Sequence, residues 1–414
     1  MGITTNNTPP ARLLDVTRLT SRAGRGLTGV DRVEAAYLSA LLDDGVPLFG
    51  LARVAPGYVL MDQAGLLALR GRLCGEAPWG RARGAFALAR RLSRDQQRAQ
   101  ADLWRHGWAR SSRWGLGAML RRLLPRGTTY LNVGHSNLSA RVMRAVRQVP
   151  AVRICVFLHD TIPLDYPQFQ RDGSVARFRR MLDVAGGADL ILCNSGGTRD
   201  RLRVHLGPGA PGIRVLGLGV ARPVPRPDEV PAGLPPDRPY FVVTGTIEPR
   251  KNHALLLDVW AALESEVPAA KMPVLVICGA RGWRNEAVLA RLDQLGGSGA
   301  NIIEVAGLSD GALAALTQGA HASLFPSLAE GFGLPPAEAA VLGTQPICSD
   351  LPVLREVLGP VAVYLAPQDR AAWQRVIRDL SDRDRRPLDP EIAAEAEQRF
   401  APWDAHINIL LTII

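Results

Sequence analysis

The chain has 414 residues, of which 47% are hydrophobic and 21% are charged. This composition excludes a disordered or fibrous protein, and the length predicts two domains because one hydrophobic core rarely serves so long a chain. The formal net charge is +10, and only Lys251 and Lys271 of the 49 basic residues are lysine. Residues 1–238 carry 35 basic and 18 acidic residues, whereas residues 239–414 carry 14 and 21. We therefore expect the N-terminal half to meet anions.

Short apolar runs predict a parallel sheet in the N-terminal half. Each run is four to eight residues long and is bounded by loops, which is typical of strands buried on both faces. The predicted strands are LLDVTRL (13–19), TTYLNVG (128–134), RICVFLHD (153–160), DLILCNS (189–195) and IRVLGLG (213–219).

Residues 66–126 interrupt this pattern and predict a basic helical insertion. The stretch Arg70–Arg126 holds 14 arginines against three acidic residues, together with four tryptophans. A basic amphipathic helix with tryptophan is typical of the anionic membrane interface. An ordinary helix packed on its domain with a solvated arginine face explains the pattern equally well. Nucleic acid binding is disfavoured because no recognised nucleic-acid module accompanies the charge. The clearest helix, within 112–124, can direct five apolar side chains to one side: Trp114, Leu116, Met119, Leu120 and Leu123.

A proline-rich segment, residues 221–239, separates the two halves. It holds seven of the 31 prolines and predicts an interdomain linker, because proline stiffens an extended chain. Beyond it, short buried strands alternate with amphipathic helices, which predicts a second parallel sheet. The fold class is therefore α/β, with two Rossmann-like doubly wound domains (1–220 and 240–403) that face each other across a cleft. The strands predicted in the second domain are 240–246, 273–280, 302–307, 322–327 and 346–350, and the helices lie near 255–260, 285–295, 310–317 and from Leu334.

The segment GTIEPRKN (245–252) has the pattern of a diphosphate site. A strand ends at Thr244, and a loop through Gly245 and Thr246 then delivers Arg250 and Lys251 just before a helix. Backbone N–H groups at a helix start and two adjacent cations are what a diphosphate requires. Retention of a lysine in an arginine-rich chain indicates that a compact point charge is needed there.

The segment PSLAEGFGLPPAEA (326–339) places two glutamates around a glycine-rich turn. Glu330 precedes the helix that is predicted from Leu334, and Glu338 lies about one turn inside it. The two carboxylates therefore lie at different depths and can hold different hydroxyl groups of one extended ligand. Gly331 and Gly333 allow the backbone to approach that ligand closely.

These two segments together resemble the E-x7-E signature of the family 4 retaining glycosyltransferases, which have the GT-B fold. The resemblance covers most of residues 240–405. It implies that Arg250 and Lys251 neutralise the diphosphate of a sugar nucleotide, that Glu330 holds sugar hydroxyls, and that Glu338 holds the ribose. It also implies that the last helix (404–414) crosses back to the N-terminal domain. The resemblance further implies that the backbone amides of Phe332, Gly333 and Leu334 contact the sugar or phosphate of the donor.

The N-terminal half resembles the family more loosely. The loop before residue 30, with Gly29 in it, resembles the glycine loop over the donor phosphates, although a plain flexible turn fits as well. His159 ends a predicted strand at the cleft, and the resemblance implies that it contacts the donor sugar. The candidates for acceptor contact are Asp160, Asp165, Tyr166 and Arg32.

The resemblance implies a retaining glycosyltransferase that moves a hexose from a nucleotide-diphosphate sugar to a saccharide or lipid-linked saccharide. The resemblance also implies that the product belongs to a surface polysaccharide or glycolipid. GDP-mannose is the first donor candidate and a UDP-sugar the second, with no further cofactor and no metal. A GT-B sugar-nucleotide epimerase, a phosphorylase and a non-catalytic sugar-nucleotide-binding protein remain as alternatives.

The remaining features concern location. The N-terminus MGITTNNTPP lacks a basic start and an apolar stretch, and no apolar run reaches the ~18 residues that span a bilayer. The five cysteines lack the spacing of metal ligands, and four of them lie in strand-like runs. We expect a reduced cytoplasmic chain, and residues 70–126 are the candidate segment for contact with the inner face of the cytoplasmic membrane, beside the alternative that they pack on the domain.

Overall fold

The computed structural model describes residues 8–24, 26, 28–295 and 301–414, and its strands form two sheets. The first sheet consists of β1 (Arg12–Asp15), β2 (Leu48–Val54), β3 (Gly57–Met61), β4 (Ala109–Ser111), β5 (Thr129–Asn132), β6 (Arg153–Leu158), β7 (Leu190–Cys193) and β8 (Gly212–Val215). Their order is β4-β3-β2-β1-β5-β6-β7-β8. Strand β3 is antiparallel to both of its neighbours, and the other pairs are parallel.

The second sheet is parallel throughout. It consists of β9 (Tyr240–Thr244), β10 (Val274–Cys278), β11 (Ile302–Val305), β12 (Ala322–Phe325), β13 (Pro346–Ser349) and β14 (Val363–Leu365). The order is β11-β10-β9-β12-β13-β14.

Helices cover both sheets, because the chain between two parallel strands must return to the same end of the sheet and usually does so as a helix. They are α1 (Thr17–Ser21), α2 (Gly29–Asp43), α3 (Gln63–Leu73), α4 (Arg94–His106), α5 (Leu116–Leu123), α6 (Ala140–Val146), α7 (Ile162–Asp165), α8 (Ser174–Ala185), α9 (Gly196–Leu206), α10 (His253–Glu266), α11 (Glu286–Leu295), α12 (Asp310–Gly319), α13 (Leu334–Val341), α14 (Pro352–Leu358), α15 (Arg370–Ser381), α16 (Pro390–Arg399) and α17 (Trp403–Ile413).

This architecture confirms the predicted α/β class with two parallel-sheet domains. In each sheet the first strand of the domain lies centrally, with later strands on both sides: β1 between β2 and β5, and β9 between β10 and β12. Ligands of open α/β sheets bind outside the carboxyl ends of the strands, next to such switch points.

The prediction of a purely helical insertion at residues 66–126 is wrong in one respect. Residues 109–111 form β4, which extends the hairpin of β2 and β3 at the edge of the first sheet. The hairpin turns at Ala55 and Pro56 just before Gly57, and a Pro-Gly pair between two apolar runs is a turn signal. The predicted strand 13–19 is also too long, because α1 begins at Thr17.

The arrangement predicted for segment 112–124 needs correction. Leu116, Met119 and Leu120 of α5 are buried in the core of the first domain, so this apolar face packs on the protein. Trp114 does not share that face, because it precedes the helix, and it is 82% exposed. Within the described ranges, no helix is both long and apolar enough to cross a bilayer.

Helix α17 returns to the first domain and packs against α2. Its Ile407 and Leu410 join the core that includes Phe157 and Leu216. The ring of His406, in α17, contacts the segment after β8 and helix α2. Its Nδ1 lies 2.7 Å from the Gly217 carbonyl oxygen, and its Nε2 lies 3.0 Å from the Tyr37 hydroxyl. Since the carbonyl only accepts, Nδ1 donates to it and Nε2 accepts from the tyrosine.

We expect Leu410→Ala to lower the free energy of unfolding by about 2–5 kcal/mol, because the side chain is fully buried and its loss leaves a cavity. The neighbouring Ile409 is 53% exposed, so Ile409→Ala serves as the matched control and is expected to change stability by less than about 0.5 kcal/mol. Urea denaturation of both variants measures the difference. Equal effects would show that α17 does not depend on this packing.

Candidate active site

The two predicted motifs meet in one ion cluster. Arg250 and Lys251 lie in a short 3-10 turn between β9 and α10, and Glu330 lies in the loop between β12 and α13. One carboxylate oxygen of Glu330 is 2.7 Å from Nη1 of Arg250 and 2.8 Å from Nζ of Lys251. Glu248, which the sequence analysis did not single out, pairs with Nε of Arg250 at 2.8 Å. Both loops follow carboxyl ends of neighbouring strands, which explains the contact over a separation of 80 residues.

The cluster is largely removed from solvent. Lys251 is only 8% exposed, and its ammonium lies 4.3 Å from the centre of the Phe325 ring, which adds a cation–π contact. Burial acts to raise the pKa of the Glu330 carboxyl, but the charges of Arg250 and Lys251 outweigh it and hold that pKa below its ordinary value. Glu330 is therefore ionised at neutral pH, and the two cations are what keep it so.

The loop that carries Glu330 touches the first domain directly. A Cβ on Gly331 would lie 2.4 Å from the carbonyl oxygen of His159 and 2.9 Å from Cβ of Asp160, so only glycine fits this contact. The Gly331 carbonyl in turn accepts a hydrogen bond of 3.0 Å from the Ser195 hydroxyl. Residues at the ends of β6 and β7 thus lie against the Glu330 loop, and the site is built from both domains.

His159 is buried and neutral. Its Nε2 lies 2.8 Å from the Val133 carbonyl oxygen, so Nε2 carries the proton and donates it, and Nδ1 is left as an acceptor. Burial lowers the pKa of His159 to about 4. The ring is held between His135 and Phe157, with centroids at 5.0 Å and 4.9 Å. His159 can therefore accept a hydrogen bond at the cleft without carrying charge.

Glu338 meets an arginine from the opposite domain. Nη1 of Arg32, in the first turn of α2, lies 3.1 Å from Glu338 Oε1, and Arg32 also pairs with Asp310 at 2.5 Å. The structure thus places Arg32 beside the proposed ribose carboxylate and not with the acceptor candidates. Burial raises the pKa of Glu338, and the Arg32 charge opposes that shift. Gly29, the first residue of α2, lies close to the same contact between the domains, since a Cβ on it would be 3.7 Å from Leu334 Cδ1.

The backbone candidates surround this cluster. Gly245 has φ +136°, a backbone conformation that favours glycine, and it lies beside the aliphatic chain of Lys251. Gly333, with φ +99°, is the residue before α13, and the helix starts with Leu334. Thr246 follows Gly245 in the loop after β9, and Phe332 packs against the core of the first domain.

The residues proposed to contact the acceptor differ in how far their polar atoms are already engaged by other side chains. Asp160 lies against Gly331, and burial raises the pKa of its carboxyl. Both oxygens of Asp165 are engaged, one with Arg201 and His205 at 2.7 Å each and the other with Thr161 at 2.5 Å, so its carboxylate has no oxygen without a donor. Tyr166 is partly exposed and stacks on Phe169.

No group of three or more His, Cys, Asp or Glu side chains converges as a metal site in the described part of the chain. The chemistry that the cluster offers is electrostatic: the half-buried Arg250, the buried Lys251, backbone amides at the start of α10, the Leu334 amide at the start of α13, and the carboxylates of Glu330 and Glu338. Such an arrangement suits a ligand with a diphosphate between two hydroxyl-bearing groups.

Comparison with known proteins shows what this region is similar to. Residues 227–399 match the family model "Glycosyl transferases group 1". The chain is 30% identical over 236 residues to the serotype-specific mannosyltransferase WbdA of Escherichia coli, covering 52% of this chain and 29% of that protein. It is 32% identical over 143 residues to the O-antigen chain mannosyltransferase RfbU of Salmonella typhimurium, covering 34% of this chain and 38% of that protein. The chain thus spans well under half the length of these curated relatives.

Solved structures show the fold. The sucrose-phosphate synthase of Thermosynechococcus elongatus superposes with a TM-score of 0.62 at 17% identity, covering 97% of both chains. An α,α-trehalose-phosphate synthase of Burkholderia xenovorans superposes with a TM-score of 0.57 at 13% identity, covering 96% of this chain and 99% of the other. The predicted GT-B fold is confirmed over nearly the whole chain.

We expect the folded protein to lose stability as the pH falls from about 6.5 to about 4. Burial lowers the pKa of both His159 and His253 to about 4, so in this window the unfolded chain binds protons that the folded chain does not. The loss reaches about 3 kcal/mol for each histidine at the acid end. Neither ring nitrogen of His253 has a hydrogen-bond partner, so His253→Leu removes its titration without breaking a bond. Urea denaturation at pH 7 and pH 4.5 should show a smaller loss in this variant; an unchanged loss would contradict the assignment.

Proposed function

We propose that the chain transfers a hexose from a nucleotide-diphosphate sugar to a saccharide or lipid-linked saccharide, since residues 227–399 match the family model of the group 1 glycosyl transferases. The observation that carries the proposal is the convergence of Arg250, Lys251 and Glu330 in one buried cluster at the cleft. GDP-mannose is the first donor candidate, since the similar proteins WbdA and RfbU are mannosyltransferases, and a UDP-sugar is the second. No further cofactor is part of the proposal.

The proposed chemistry follows from the cluster. As the bond to the sugar breaks, negative charge develops on the departing diphosphate, and Arg250 and Lys251 are already fixed to stabilise it. One such preorganised group is worth about 10²–10³ in rate. When the diphosphate takes over these cations, Glu330 loses its partners and becomes an acceptor for sugar hydroxyls. His159, neutral and with Nδ1 as an acceptor, offers a second uncharged contact to the sugar.

The stereochemistry and the acceptor step are part of the same proposal. Retention of the anomeric configuration requires the acceptor oxygen to arrive on the face from which the diphosphate leaves. The departing phosphate itself then takes the proton of the acceptor hydroxyl. Asp160 lies beside Gly331 at this point of the cleft, which makes it the acceptor candidate with the best position.

Removal of the cluster tests the function. Lys251→Ala and Glu330→Ala are each expected to lower the transfer rate at least 10²-fold, because each removes a group that holds donor charge or hydroxyls. Lys271, the other lysine of the chain, is exposed on the same domain, so Lys271→Ala is the matched control and should keep wild-type activity. The assay measures the glycosylated acceptor and free nucleotide diphosphate. Near wild-type transfer by either site variant would refute the site.

A thermal-shift panel of GDP-, UDP- and dTDP-sugars identifies the donor for this assay. A ligand at ~100 times its dissociation constant adds about 2.7 kcal/mol of stability. Binding without any glycosylated product would favour a non-catalytic sugar-nucleotide-binding protein, and free nucleotide with an altered sugar would favour an epimerase.

We further propose that the first domain docks on an anionic membrane surface, at the inner face of the cytoplasmic membrane, through α5 and α6. These two helices pack side by side and expose arginines with no acidic residue in either helix. Trp114 stands exposed at this face, with the Arg141 guanidinium 5.0 Å from its ring centre. The arginines of this face are all exposed: Arg113, Arg121, Arg122, Arg141 and Arg144.

Vesicle co-sedimentation tests this surface. The triple variant Trp114→Ala, Arg121→Ala, Arg122→Ala is expected to lose about tenfold or more in affinity for vesicles with anionic lipid, since each basic residue near such a surface contributes about 1 kcal/mol. The double variant Arg370→Ala, Arg375→Ala removes two exposed arginines from α15 of the other domain and should bind as wild type does. Equal loss in both variants, or equal binding to neutral vesicles, would contradict a docking face at α5 and α6.

A further inference from the structure

The first turn of α9 holds the Glu330 loop from the opposite side of the cleft. Ser195 caps this helix by accepting from the Thr198 amide at 3.1 Å, and its hydroxyl lies 3.0 Å from the Gly331 carbonyl oxygen. The Thr198 hydroxyl lies 2.9 Å from that of Ser195 and 3.5 Å from the same carbonyl. Ser195 and Thr198 are both buried, so these contacts are shielded from competing water.

The same helix start binds a carboxylate from the second domain. Glu356, on α14, accepts from the backbone amides of Gly196 at 2.5 Å and Gly197 at 3.1 Å. A Cβ on Gly196 would lie 3.2 Å from this carboxylate, so the glycine lets it approach the amides closely. Amides without a partner in the first turn of a helix attract a negative charge, and Glu356 supplies it. The contact is bidentate and charge-assisted, which makes it stronger than a neutral hydrogen bond.

Two separate segments of the second domain therefore contact the first turn of α9. Gly331 comes from the loop before α13, and Glu356 comes from α14, 25 residues later. Because Glu356 fixes this turn, the Ser195 and Thr198 hydroxyls lie within 3.0 Å and 3.5 Å of the Gly331 carbonyl oxygen. That carbonyl belongs to the residue next to Glu330, so the position of the carboxylate relative to His159 depends on the same contacts.

We propose that Glu356, Ser195 and Thr198 are positioning residues for transfer: they hold the Glu330 loop against the first domain so that both halves of the site stand in register. The proposal rests on the proposed function, since it assigns a role within that reaction. None of the three needs to touch the donor. Their contribution lies in the geometry of the closed cleft, where misplacement of a reacting group by about 1 Å can cost 10²-fold in rate.

The role predicts a specific kinetic signature. Glu356→Ala should lower kcat about tenfold while the dissociation constant for the donor changes less than about twofold, because the donor contacts named above remain in place. Glu356→Gln keeps one oxygen that accepts from the amides and should lose only about threefold. Asp350 is the matched control: it is an exposed carboxylate that pairs with Arg355 of the same helix α14 at 2.5 Å. Asp350→Asn should keep wild-type kcat.

Hydrogen–deuterium exchange gives a readout that does not depend on transfer. In Glu356→Ala, the Thr198 amide, which donates to the Ser195 hydroxyl at 3.1 Å, should exchange faster than in wild type, whereas strand β12 should not change, and Asp350→Asn should match wild type at both places. Unchanged kcat with unchanged exchange at Thr198 would overturn the positioning role, and so would an equal loss in Asp350→Asn. If wild-type protein transfers no sugar from any donor of the panel, the proposed function fails, and the exchange comparison alone decides whether Glu356 fixes the first turn of α9.

Discussion

The structure of the site depends on one constraint: two adjacent cations that are largely removed from solvent must be paired. Arg250 and Lys251 are adjacent in sequence and share the Glu330 carboxylate, and Glu248 takes the remaining side of the arginine. Removing one member of a buried ion pair typically costs 3–5 kcal/mol because a charge is then left without a partner. The loop between β12 and α13 therefore has to lie over the loop between β9 and α10, and a backbone hydrogen bond of 2.7 Å from the Leu328 amide to the Arg250 carbonyl fixes it there.

That fixed loop then determines how the two domains meet. Its outer surface is glycine at residue 331, which lets the His159 carbonyl come closer than any side chain would allow. The His159 ring is held by its hydrogen bond to the Val133 carbonyl, directly after the neighbouring strand β5. The position of His159 relative to the Glu330 cluster is therefore determined by the sheet of the first domain and by the loops of the second. A site between two domains needs such a fixed contact, because neither domain alone holds all of its groups.

Sequence patterns predicted the elements that depend on local order. A buried strand precedes each of the segments GTIEPRKN and PSLAEGFGLPPAEA, and a helix begins directly after the first and within the second. The convergence of Arg250, Lys251 and Glu330 at one sheet edge therefore followed from the parallel fold. The partners that come from across the cleft did not follow. Arg32 was assigned to the acceptor, although it pairs with Glu338, and Glu356 stands in a helix without any motif. Such pairs depend on how two domains dock, and no local periodicity records that.

The charge of the site bears on how the proposed donor would bind. Arg250 and Lys251 stand against three carboxyl groups, those of Glu330, Glu248 and Asp160, so the diphosphate of that donor would enter a cluster with no surplus of positive charge. Burial raises the pKa of both Glu248 and Asp160, which eases the protonation of these two. Glu330, whose pKa the cations lower, stays ionised and has to exchange its cations for hydroxyl donors. The loop that carries it must permit this exchange without leaving His159, and contacts to its backbone at Gly331 leave the Glu330 side chain free to turn.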